Sequence, residues 1–301
     1  MNETQQLSVK NVHAGHAESK TRLHPNLIRG ALPGLPFVVL VVVTIFAKVI
    51  APYDAEKTIG SVNGAPSAAH WFGTDSVGMD IFSRTLVGMQ VSVRIALIVA
   101  VIATVLGVLI GTFIGLIESQ RAVLGVFGRM LNRVTEYIIT VPSLVMGIVI
   151  VGLMGAGEKT MIFALVLCLT QAPIRLTRVE VLRVRSEAYL QAAEMAGEGR
   201  GRSALVHVIP NALGPAMTNV PIAFGNSVMI LASLGFLGIG IQAPTPEWGS
   251  MISSGISSLM MGIWWPTVFP SLFLFFTVIC VAYTARWAPA YWARVQAARN
   301  R

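Results

Sequence analysis

Six stretches of roughly twenty consecutive, mostly apolar residues interrupt this chain, and they limit its fold more than any other feature. They run from Leu32 to Ala51, Val91 to Ile117, Glu136 to Gly155, Met161 to Arg178, Ala216 to Gly240 and Pro266 to Ala285. A stretch of that length satisfies all its backbone polar groups internally only as a helix, and one helix of it crosses the hydrocarbon core of a bilayer. With 54% of the residues hydrophobic and only 12% charged, the chain carries more apolar surface than a soluble core of 301 residues needs. The expectation is an all-α integral membrane protein with six transmembrane helices. The first stretch is longer than the about 7–15 apolar residues of a cleaved signal and follows a polar leader of about thirty residues, so it reads as a retained helix.

The basic residues orient the spans. With the first helix running outward, one side of the membrane holds Lys10, Lys20, Arg22, Arg29, Arg121, Arg129, Arg133, Arg175, Arg178, Arg183, Arg185, Arg200, Arg202, Arg286, Arg294, Arg299 and Arg301. The other keeps only Lys48, Lys57, Arg84, Arg94 and Lys159. Positive charge marks the cytoplasmic face, so both termini are expected in the cytoplasm. The net charge of +8 is spread through the gaps between apolar runs, which argues against a nucleic-acid-binding face. Cys168 and Cys280 both lie in apolar stretches and read as small core residues.

Two connections are too long to be simple links: Pro52 to Gln90 outside and Val179 to Pro215 inside. The inside loop reads Tyr189-Leu190-Gln191-Ala192-Ala193-Glu194-Met195-Ala196-Gly197 and ends at Pro210-Asn211. Ser186 to Ala196 are strong helix formers, and Gly197, Gly199 and Gly201 stop the helix. Small Ala192 and Ala193 allow close approach by another protein, which makes this a docking helix. Ala-Ala-x3-Gly with a Pro thirteen residues later resembles the EAA loop of bacterial ABC-importer permeases. That resemblance implies a coupling helix seated in a groove of an ATPase subunit. Gln191 stands where the family carries Glu.

The outside loop contains His70-Trp71-Phe72-Gly73-Thr74-Asp75-Ser76-Val77-Gly78-Met79-Asp80-Ile81-Phe82-Ser83-Arg84. This is similar to the HxxGTDxxGxDxxSR signature of the dipeptide and oligopeptide permease family, with Met79 in place of the family's usual Arg. Here Thr74 or Asp75 is expected to cap a short helix, and Asp80 and Arg84 are spaced as an i,i+4 pair. A third segment, Ser233 to Gly249, resembles the family's SFLGLGxxPPTPEWG; in the outer loop that follows Gln242, Trp248, Trp264 and Trp265 read as interface anchors.

Together these segments identify the chain as similar to the C-type permease subunit of that family, with the type I ABC-importer permease fold. The implied organisation is a cytoplasmic tail over residues 1–31, a first helix and external loop over 32–87, a permease domain over 88–287 and a cytoplasmic tail over 288–301. The end from Ala285 to Tyr291 departs from the family's usual close. The implied partners are a homologous second permease subunit, two ABC ATPases and an extracytoplasmic substrate-binding protein. ATP binding would close the ATPase pair, pull on the Tyr189 to Gly201 helix and rock the spans, with Gly235, Gly238 and Gly240 giving freedom to move. The implied solutes are peptides, with nickel or a metal chelate as the alternative.

No Gly-x4-Gly-Lys-Ser/Thr phosphate loop occurs; Gly155 to Thr160 lacks the adjacent Gly-Lys and reads as a short hairpin, so hydrolysis falls to partners. The five His residues show no zinc spacing, and no metal or cofactor is expected. Asn219, Asn226 and Ser233 recur every seven residues on nearly one helix face, as either a pathway stripe or a set of interhelical hydrogen bonds. Gly107, Gly111 and Gly115 form a ridge for close helix packing. Glu136 is the only acid within the six stretches, which weighs against an ion-coupled transporter; a membrane scaffold is the other reading of a different class.

Overall fold

The computed structural model describes residues 34–118, 120 and 123–299. Within them the chain is helical, with two isolated β-bridges and no strand: α1 (Leu35–Ile50), α2 (Ile81–Glu118), α3 (Val123–Ile139), α4 (Ser143–Met154), α5 (Glu158–Leu169), α6 (Gln171–Arg185), α7 (Ala188–Met195), α8 (Arg200–Ser203), α9 (Ile209–Phe236), α10 (Trp248–Met260) and α11 (Trp265–Arg299). Four rods are long and apolar enough to cross a membrane: α2, α5 running on into α6, the stretch Gly201–Phe236 containing α9, and the Trp265–Trp287 part of α11. The bent pair α3 and α4 makes a fifth, and α1 is a shorter apolar helix. The tail expected over residues 1–31 lies outside the described residues.

At 38 residues, about 57 Å, α2 is the axis on which the others pack. Its Val91, Ile95, Val99 and Ala103 form one core with Val151 of α4, Met161, Leu165 and Cys168 of α5, and Leu231 and Leu234 of α9. Its Leu86, Met89, Val93 and Ala96 form a second with Ala47 of α1, Ala223, Phe224 and Val228 of α9, Trp248 and Val281. Lipid is as apolar as these side chains, so fit rather than expulsion of water holds such helices together. The Gly107–Gly111–Gly115 ridge supplies that fit against Pro173, Ile174, Thr177 and Val181 of α6. A β-carbon on Gly111 would sit 2.5 Å from the Ile174 carbonyl oxygen.

Several boundaries differ from the sequence expectation. The third stretch, expected as one span from Glu136, is bent by 89° between α3 and α4. Pro142 has no N–H to donate and biases Val141 away from helix, so the break falls there despite continuous hydrophobicity. The inside loop shrinks to residues 186–199, because α6 runs to Arg185 and the helix that includes α9 is continuous from Gly201. Pairing makes those charged extensions tolerable: Arg178 grips Glu118 through two bonds of 2.6 and 2.8 Å, and Arg183 bridges Glu180 and Glu187. Glu136 is therefore not the only acid in the long helices; Glu118, Glu158 and Glu180 join it, Glu158 paired with Arg94 at 2.8 Å. Trp248 is fully buried, its indole N–H donating to the Thr85 carbonyl at 3.0 Å, and so is a core residue rather than an interface anchor.

Candidate functional site

At one end of the bundle α6 turns at Ser186 into the eight-residue α7. Gly197 ends this turn of structure with φ of +89°, a conformation costly for any residue with a β-carbon. The chain then re-enters helix through α8 and a π-helical turn, Ala204–Val208, before α9. Among its described side chains, Leu190 is the buried one that fastens α7 to the bundle. Leu190 is buried and packs with Val181 and Val184 of α6, Val208, Ala212 of α9 and Leu116 of α2. Tyr189 is half exposed, its hydroxyl accepting a 3.5 Å bond from the Asn211 amide, and Pro210 sits in the first turn of α9. Gln191, Ala192, Ala193 and Glu194 lie on the α7 backbone, and their side chains are outside those described. Glu198 faces His207 at 3.3 Å and Arg202 at 3.8 Å, tying the turn after α7 to the π-helical segment.

At the opposite end of α2 the 51–80 loop folds into a knot built by the expected external motif. Asp80, not Thr74 or Asp75, caps the helix: its Oδ2 accepts from the Ser83 N–H at 2.8 Å and the Ser83 hydroxyl at 2.7 Å, while Oδ1 meets His70 Nδ1 at 2.9 Å. With Asp80 so occupied, Arg84 does not form the i,i+4 pair; it turns to Asp75 at 3.4 Å and to the carbonyls of Ala55 and Pro244. The capped helix is also not short, since it is α2 itself. Asp75 accepts 2.9 Å bonds from the N–H groups of Val77 and Met79, and Thr74 bonds the 61–64 turn through its hydroxyl. Gly73 and Gly78 hold φ of +73° and +80°, with the carbonyls of Gly64 and Gly60 where a β-carbon would be. All eight fixed residues of the motif thus meet in one structure. Phe72, stacked on Phe269 at 3.9 Å, ties it to α11.

The third motif joins α9 to α10. Asn226 and Ser233 lie beside Ile222 and Met229, on the face of α9 turned away from the chain's own bundle; Asn219 is on the same side. The Ser233 hydroxyl donates to the Met229 carbonyl at 2.8 Å. A cleft of about 390 Å3 opens here, lined by Leu144, Met229, Ser233, Phe236, Gly249 and Ile252. Glu247 caps α10, Oε1 accepting from Gly249 N–H at 2.8 Å and Oε2 from Ser250 N–H at 3.0 Å. The roles of Glu247 as a cap, of Leu190 as an anchor and of His70 as the partner of Asp80 were not foreseen from the sequence. An acid immediately before Trp-Gly and a run of Ser is a helix-start signal that identifies the Glu247 cap, though not its burial.

A bundle of long apolar helices carrying a short helix at one end and a tightly packed loop at the other is the architecture of a membrane protein that crosses the bilayer several times. Residues 107–289, more than half of the chain, match the family described as binding-protein-dependent transport system inner membrane component. The chain belongs to this family and is a multi-pass, inner-membrane permease subunit of an ABC importer, a class that works with an ATPase and a substrate-binding protein. Among its relatives are the glutathione transport system permease proteins GsiD of Escherichia coli O6:K15:H31 (strain 536 / UPEC), Shigella boydii serotype 4 (strain Sb227) and Shigella sonnei (strain Ss046). Each is 35% identical over 246 residues, which cover 80% of this chain and 78% of the relative.

Proposed function

We propose that this permease pairs with a second, homologous membrane subunit, two cytoplasmic ATPases and one external binding protein to import small peptides of the glutathione kind. In this reading α1 is the sixth span, both termini are cytoplasmic, and α7 is the helix on which the ATPases pull. The permease domain occupies residues 88–287, preceded by the first helix and external loop and flanked by two cytoplasmic tails. Hydrolysis belongs to the ATPases, since the chain has no phosphate loop.

The observation that carries the mechanism is the seat of Leu190. A pull on α7 acts through that buried side chain on α2, α6 and α9 together, because all three contribute to its pocket. Packed helices of this kind respond by rocking as bodies rather than by deforming. The α9 stripe of Asn219, Asn226 and Ser233 faces where the sister subunit would stand and lines the path; Asn226→Leu should cut uptake without loss of assembly. The peptide assignment leans on the glutathione permeases among the relatives. Its test is uptake of labelled glutathione and dipeptides in cells with and without this gene. Uptake lost on deletion and restored by the intact gene is the expected result; unchanged peptide uptake alongside a metal-chelate defect would overturn the solute assignment.

A further inference from the structure

Glu247 is fully buried and has no cationic partner among the described residues. The elements around it, α9, α10 and the 237–246 loop, contain no other ionisable side chain. On α2, Arg84 is taken up by Asp75 and the carbonyls of Ala55 and Pro244, and Glu56 reaches the Thr245 hydroxyl. His70 and Asp80 satisfy each other, and Arg94 pairs with Glu158. What surrounds the carboxyl instead is backbone. Gly235 of α9 lies directly against Glu247 and Gly249 against the Ala232 carbonyl, so neither position has room for a β-carbon; Gly240 packs in turn on Gly235. The side chain is thus the pin of a joint between the end of α9 and the start of α10, and that joint borders the cleft containing Ser233.

We propose that Glu247 is a proton-operated clamp: protonated, it holds α10 down on the end of α9, and ionised, it releases that joint to water. The clamp would make the outer mouth of the transport path sensitive to external pH, a consequence that rests on the importer reading above. A buried carboxylate with no cation costs far more to hold in place than the neutral acid does. Burial pushes the Glu247 carboxyl up to about 7 from its ordinary 4.5, against the opposing pull of the Gly249 and Ser250 N–H groups. A carboxyl exposed by opening returns to its ordinary value and loses its proton to solvent. Opening should therefore become about tenfold easier between about pH 6 and about pH 8, and flatten beyond.

The experiment is amide hydrogen exchange of the peptide spanning Trp248 to Ile252 in the assembled, detergent-solubilised transporter, corrected for the intrinsic pH dependence of exchange. The expected result is a corrected rate about tenfold higher at about pH 8 than at about pH 6 in the wild type. In Glu247→Gln, which keeps an acceptor oxygen for the N-cap without a titrating proton, the rate should stay at the wild type's low-pH value. Equal corrected rates in the wild type at both pH values overturn the clamp, as does a Glu247→Gln protein that keeps the wild-type slope. Should the variant not assemble, the wild-type slope alone decides. A chain that shows the slope but retains no ATPase supports the clamp and removes the proposed assembly and coupling, so the two are separable.

Discussion

Asp80 shows how much of an end of this molecule hangs on one carboxylate. It caps α2, binds the Ser83 hydroxyl and holds His70. Losing a cap costs about 0.5–2 kcal/mol, and stranding its buried partners adds to that. Asp80→Ala should therefore lower the Tm of the purified subunit complex well beyond Asp80→Asn, which keeps one acceptor oxygen; equal Tm values would remove the capping account. Glu247 predicts a pH effect of known sign. Its folded-state value, about 7, exceeds its ordinary 4.5, so the native state holds the proton more tightly than the unfolded chain. Stability from this group is fully present below the ordinary value and is lost as pH rises through about 7. Thermal melts across that window should show the fall in the wild type and a flatter profile in Glu247→Gln. Sequence made the motif residues visible as a set, but not their pairing. Arg84 lies four residues from Asp80 and still chooses Asp75, because the cap had already claimed Asp80.

Among the elements, α7 and the α2–α6 contact carry the account. Leu190→Ala removes the side chain that seats α7, and large-to-small changes at buried sites cost about 2–5 kcal/mol. The expected outcome is a complex that still assembles but whose ATPase activity no longer responds to loaded binding protein; full stimulation in the variant would show that α7 transmits nothing through Leu190. Gly111→Leu should abolish accumulation in the membrane, since the neighbour in its way is the Ile174 carbonyl, part of a rigid helix backbone. The glycine ridge was legible from its four-residue spacing alone. The bend at Pro142 was less so: hydropathy runs straight through it, and only the missing N–H marks it. The overruns of α2 and α6 were hidden for another reason. Glu118 lies one residue past one expected stretch and Arg178 is the last residue of another, so both read as charges at span ends, and it takes the folded chain to bring them together.

For the whole molecule, the apolar stretches and the uneven distribution of Arg and Lys suffice to define the class and an expected direction across the membrane. Packing joins several elements at each of the two ends of α2. Three helices meet at Leu190 at one end of α2, and at the other end the 51–80 knot, α10 and α11 lock together through Asp80, Trp248 and Phe72. In the proposed mechanism, force applied at the first end would be carried along α2 to the second. In the proposed mechanism α7 is where the ATPases act, and a cysteine crosslink probes that contact itself. Ala193→Cys in an otherwise cysteine-free chain, probed with a short bifunctional reagent in native membranes, should yield an adduct with the ATPase subunit whose amount changes when ATP is bound. An intact complex that crosslinks to the ATPase from elsewhere on the cytoplasmic side, but never from α7, would contradict the account.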